Sequence, residues 1–157
     1  MKYLLLTVSL FAVVFTACKS TEEKTNDWVL KDEGVWLVVQ STYEYEAVTQ
    51  SVVRDSGTSL DNGVFEFYEG SDGNYELILP FLDGVLNSEM IWNVDQDTVR
   101  GTDTDKPADS SGGTANMTFT GYEISKNQMR IKMLYLYSNP DVTETINLEL
   151  NLDRRRN

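Results

Sequence analysis

The chain has 157 residues, a formal net charge of -12 and 41% hydrophobic side chains. That suffices for one domain with its own core once a leader is removed, and it is too apolar for wholesale disorder. The acidity argues against nucleic acid and anionic membrane surfaces as partners, and the absence of histidine removes the commonest general base and zinc ligand.

The chain starts with Lys2 ahead of an apolar run, Leu4 to Phe15, that ends in small residues. This is the pattern of a secretory signal peptide over 1–17, and the run is short for a membrane span. Phe15-Thr16-Ala17-Cys18 resembles the bacterial lipobox at Thr16, Ala17 and Cys18, with Phe15 where leucine is usual. The resemblance implies a diacylglycerol thioether on Cys18, a membrane anchor of several acyl chains. It places the protein in the cell envelope, at the outer membrane. Cys18 is the single cysteine, so no intrachain disulfide is possible.

Residues 18–27 read as the lipidated cysteine and a flexible polar tether. The pair Glu22-Glu23 resembles a surface-export signal, although solvated linker charge explains it as well. Residues 28–157 read as the folded domain. Trp28, Val29 and Leu30 suggest a short helical turn or plug laid across an open end, and Gly34 lets the backbone turn into the first strand.

That strand runs from Gly34 to Tyr45. Residues 46–63 loosen into turn formers, Asp55 to Gly63 reading as a loop. Val64 to Tyr68 and Asn74 to Leu79 form a hairpin around Asp72-Gly73. Phe81, Leu82, Val85 and Leu86, with Gly84 among them, read as a loop packed on the domain or as a portal flap. Met90 to Val94 and Thr98 to Arg100 are shorter strands. The stretch 101–116 reads as a long mobile loop.

Three strands close the chain. Met117 to Ile124 leads through a turn to Gln128–Tyr137, where Met129, Ile131 and Met133 alternate with Gln128, Arg130 and Lys132. In the last, Ile146, Leu148, Leu150 and Leu152 share one face. About eight short strands and no long helical stripe predict an all-β, antiparallel up-and-down barrel.

Several of these pieces together resemble the lipocalin-like domain of small bacterial lipoproteins. They are Gly34-x-Trp36, Phe65-x-Phe67, Asp72-Gly73-x-Tyr75, Trp92, Tyr122-x-Ile124 and Leu148-x-Leu150-x-Leu152-Asp153-Arg154. The resemblance implies a barrel closed at one end by Trp36 beneath a basic residue. Arg154 is the candidate, with Arg155 and Arg156 as basic neighbours. It also implies an open end that takes a small apolar or amphipathic ligand. The alternative is a filled barrel presenting loops 46–63 and 101–116 to a protein or glycan partner.

No catalytic residues emerge. A nucleophilic triad needs an imidazole, and the carboxylates fall mostly on turns and outward positions. Asp95, Asp97, Asp103 and Asp105 match no EF-hand spacing, so neither a metal nor a cofactor is expected. Aromatic residues remain as a lead. Trp36, Trp92, Tyr75, Tyr122, Tyr135 and Tyr137 are core or cavity lining, and Tyr75, Trp92 and Tyr135 are the candidates for touching a ligand.

Overall fold

The computed structural model describes residues 19–81, 85–104 and 113–154. The expected signal peptide, Cys18, Leu82 and Gly84, the stretch 105–112, Arg155 and Arg156 lie outside the described residues. A helix, α1 (Thr21–Leu30), and a 3-10 turn (Asp32–Gly34) precede eight strands. These are β1 (Val35–Val48), β2 (Val52–Phe67), β3 (Asp72–Ile78), β4 (Val85–Asp95), β5 (Thr98–Asp103), β6 (Thr114–Tyr122), β7 (Gln128–Ser138) and β8 (Thr143–Arg154). Each pairs antiparallel with the next, and β1 also pairs with β8, so the sheet closes into an up-and-down, lipocalin-like barrel.

The strands form because apolar and polar side chains alternate with a period of two. Met129, Ile131 and Met133 of β7 and Ile146, Leu148, Leu150 and Leu152 of β8 are buried, pointing inward. Glu44, Glu76, Lys132 and Glu149 are exposed on the outward rows. This polarity is the reverse of a barrel set in hydrocarbon. Inside, Phe65 stacks on Tyr75 at 5.6 Å between ring centroids and meets Phe119 edge-on at 5.9 Å.

Four sequence expectations change. From Thr21 onward, the stretch expected as a flexible tether is α1. Ser20 caps it: its hydroxyl accepts from Glu23 N at 3.1 Å and Glu23 returns the bond to Ser20 N. This capping box satisfies two amides that open a helix, and Glu22 and Glu23 suit its positive end. Thr25 and Val29 are buried against the barrel, so docking supplies what the weakly helical composition lacks.

The second change is β2. Residues 55–63, expected as a loop, belong to a sixteen-residue strand paired along its length with β1. Gly57, which reads as a turn former, faces Tyr43 instead. A Cβ there would come within 2.7 Å of the phenolic oxygen, so the ring lies over bare backbone. Third, the turn of the β2–β3 hairpin, expected over 69–73, covers 68–71, with Gly70 at φ 103° and Ser71 at φ 74°, and Asp72-Gly73 opens β3 instead. Fourth, β4 starts at Val85, β5 reaches Asp103 and β6 starts at Thr114, which trims both the expected flap and the expected loop 101–116. Ladder pairing to neighbouring strands holds these polar ends in register.

Candidate functional site

The two ends of the barrel are built differently. At one end three consecutive residues, Asp32, Glu33 and Gly34, have φ of 53°, 66° and 70°. At Gly34 a Cβ would collide with the carbonyl oxygen of Phe67, so only glycine fits. This tight turn returns the chain from α1 into β1 and delivers Trp36 to the floor of the barrel. Trp36 has no exposed surface, and its indole N–H donates to Val29 O at 3.0 Å.

Arg154 ends β8 opposite Trp36 in the β1–β8 ladder. Its guanidinium carbon lies 4.1 Å from the Trp36 ring centroid, within cation–π range. Nε donates to Lys126 O at 2.9 Å, and the terminal nitrogens donate to the carbonyls of Trp28 and Lys31. Asp32 supplies a carboxylate at 3.9 Å. Burial pulls the Arg154 pKa below its usual value, and Asp32 opposes that pull. The fork geometry of arginine lets one side chain tie α1, the 3-10 turn and the β6–β7 connection to the barrel. Trp28 contributes its carbonyl here, while Val29 fills the floor.

The opposite end has no such seal among the described residues. Tyr43 and Tyr45 of β1 point inward, and Phe81, following β3, packs against both with centroids 4.6 and 4.9 Å away. Tyr45 donates its hydroxyl to Glu144 Oε1 at 3.0 Å, and Tyr43 reaches Asp55 Oδ2 at 3.4 Å. Desolvation first, then the neighbouring carboxylate, raises the pKa of both phenols. Phe81 thus acts as a packed inner wall at the position where a loop or a flap was expected.

The three ligand candidates part company. Tyr75 is buried and stacked on Phe65. Its phenol pKa is raised by desolvation first, then by the charge of Asp103 and by Tyr135. Tyr75 and Tyr135 therefore share the interior with Asp103, which also accepts from Met117 N at 3.1 Å. Trp92 belongs with the sealed end. It meets Phe67 edge-on at 5.4 Å, and its indole N–H donates to Asp72 O at 2.7 Å. Tyr122 lies outside the barrel, donating to Glu149 Oε1 at 2.5 Å with Lys132 5.5 Å above its ring.

Asp95 is outward beside Arg100 at 3.7 Å, whereas Asp103 turns inward, so the aspartates considered together for calcium are on opposite faces. Asp105 lies outside the described residues. The open-end residues that the sequence reading passed over are Tyr43, Tyr45, Asp55 and Glu144. The signal for the first two was their spacing: residues two apart in a strand share a face. Asp55 and Glu144 follow only from the register that sets both opposite inward positions of β1.

Compared with known proteins, the chain matches no family model, no curated protein and no solved structure.

Proposed function

We propose that this protein is a lipid-anchored, lipocalin-like lipoprotein of the cell envelope that takes a small apolar or amphipathic molecule into the open end of its barrel. The reading rests on the contrast between the ends: one sealed by Trp36 and Arg154, the other lined by the inward rings of Tyr43, Tyr45 and Phe81. The interior of an eight-stranded barrel is filled by its own side chains or holds one small ligand, and aromatic walls suit an apolar body. The role proposed is capture rather than turnover.

The anchor gives the barrel a direction. Only Lys19 and Ser20 separate Cys18 from α1, a reach of about 7 Å. Because α1 docks at the sealed end, lipid on Cys18 holds that end toward the bilayer and turns the open end away. Replacing Cys18 by serine should release the protein from membranes, and retention of lipid-dependent association would refute the anchor. Native mass spectrometry of a chain beginning at Lys19, which keeps α1 and every described core residue, tests the ligand. A small molecule that co-purifies supports capture, and an empty protein across expression hosts argues against it.

A second reading, an interaction lipoprotein, draws on the edge of β2. Residues 52–61 pair only with β1 among the described residues, and Val52, Val53 and Leu60 are exposed there. Such an edge is open to strand addition. If this is the function, Leu60→Lys abolishes partner binding and leaves the melting temperature nearly unchanged.

A further inference from the structure

The open end is chemically one-sided. Three carboxylates stand on its inward rows: those of Asp55 and Glu144, each beside a tyrosine hydroxyl, and that of Asp103, which accepts from Met117 N. No Lys or Arg side chain among the described residues faces inward at this end. Arg54, the nearest in sequence, is on the outward row and pairs with Glu46 at 2.5 Å. Arg154, the one buried cation among the described residues, is at the opposite end.

An independent feature points the same way. Asn62 is 4% exposed. Its amide nitrogen donates to Ser41 Oγ at 2.8 Å and to Ile78 O at 3.0 Å. Ser41 is fully buried on the inward row of β1, the next inward position below Tyr43. The amide therefore sits in the barrel wall beside Ser41, one inward position below Tyr43. Its Oδ1 is buried and receives no hydrogen bond from the described residues. A buried acceptor without a donor costs stability unless something else supplies the proton.

From this arrangement we propose that the open end selects an amphipathic organic cation, a protonated amine carrying an alkyl or aryl body. The inference rests on the ligand-capture reading above and names the chemistry of the ligand. Carboxylates at the rim compensate the positive charge. The ring faces of Tyr43, Tyr45 and Phe81 take the apolar body and the cation's field. The amine's N–H groups are donors in a site whose inward polar atoms are carboxylates, hydroxyls and the Asn62 carbonyl. A fatty acid is rejected on the same grounds, because its carboxylate meets like charge in a partly desolvated mouth. The raised phenol pKa values fit this picture, since they keep the tyrosines neutral.

Three probes of equal chain length separate the terms: decylammonium, decanol and decanoate, titrated calorimetrically below their aggregation limits into the chain beginning at Lys19. Decylammonium is expected to bind at least about ten-fold tighter than decanol, and decanoate more weakly than either. The preference falls with added salt. It disappears in the double variant Asp55→Asn with Glu144→Gln, while outward Glu76→Gln leaves it intact. Equal affinity for decylammonium and decanol, or a preference that survives the double variant, overturns the cation inference and leaves ligand capture standing. If none of the three binds and native mass spectrometry finds the barrel empty, capture itself falls and the inference goes with it.

Discussion

The sealed end and the open end use similar side chains to opposite effect. At the sealed end an aromatic ring and a buried charge are brought together, and each of the three guanidinium nitrogens donates to a backbone carbonyl of the same chain. At the open end, aromatic rings and charges also meet, but the charges are acids that accept from tyrosine hydroxyls. A buried cation with a full set of acceptors is a structural rivet. A carboxylate has about four acceptor positions, so one that takes a phenol and a backbone amide keeps acceptor capacity for something from outside. Variants at the first end should therefore cost stability, and variants at the second should cost binding.

The strongest way to break this contrast is Arg154→Met. It leaves the carbonyls of Trp28, Lys31 and Lys126 without their donor and strips the cation from Trp36. The expected loss is about 3–5 kcal/mol in chemical denaturation, with ligand affinity of the remaining folded protein unchanged. A loss below about 1 kcal/mol would show that the seal is not what holds this end.

Gly34→Ala comes next. It places a side chain at φ 70° against the Phe67 carbonyl. Strain and displaced backbone together should cost about 3 kcal/mol, measured as a fall in the denaturation midpoint at constant slope.

Ser20→Ala removes half of the capping box and should cost about 1 kcal/mol. Hydrogen exchange would show the loss concentrated in α1 while the ladders of β7 and β8 stay protected. Uniform loss of protection would mean that α1 and the barrel unfold as one unit.

The gentlest perturbation is alkaline pH, and it addresses the open end. Tyr43, Tyr45 and Tyr75 have raised pKa values in the folded protein. Below the ordinary tyrosine value near 10 both states keep these protons, and the stability they contribute is fully present. As pH rises through 10 the unfolded chain releases protons that the folded chain retains, so stability falls. Thermal melts between pH 9 and 11.5 should show this fall, and Tyr45→Phe should make it shallower. An unchanged slope in that variant would mean that its phenol titrates normally.

Much of the barrel was legible because half-buried strands announce themselves by alternation. Residues 128–133 and 146–152 alternate without interruption, and both lie in strands of the structure with the expected faces inward. Gly34 and Trp36 were legible as a strand entrance, since a glycine before an aromatic position signals a turn into a packed wall. The helix was also legible in part: Ser20-Thr21-Glu22-Glu23 has the capping-box spacing, although its polar composition outweighed that signal. The extent of β2 was less accessible. Its residues 52–61 are nearly all exposed, so no apolar alternation marks them, and their strand form comes from pairing with β1.

The sequence by itself determined the strand count and the faces of the most regular strands, because burial of one face imposes a two-residue period on the chain. It also located the glycine and tryptophan that start the barrel. Closure of β1 on β8 was decided only by the tertiary structure, and with it the meeting of Trp36 with Arg154. The same is true of the inward placement of Asp55 and Glu144, residues 89 positions apart in sequence. An acidic residue on an alternating strand points inward or outward according to register, and register is set by a bulge between Val38 and Gln40 and by the neighbouring strands. That is why the open end, with its rings and carboxylates, could be described only after the sheet had closed.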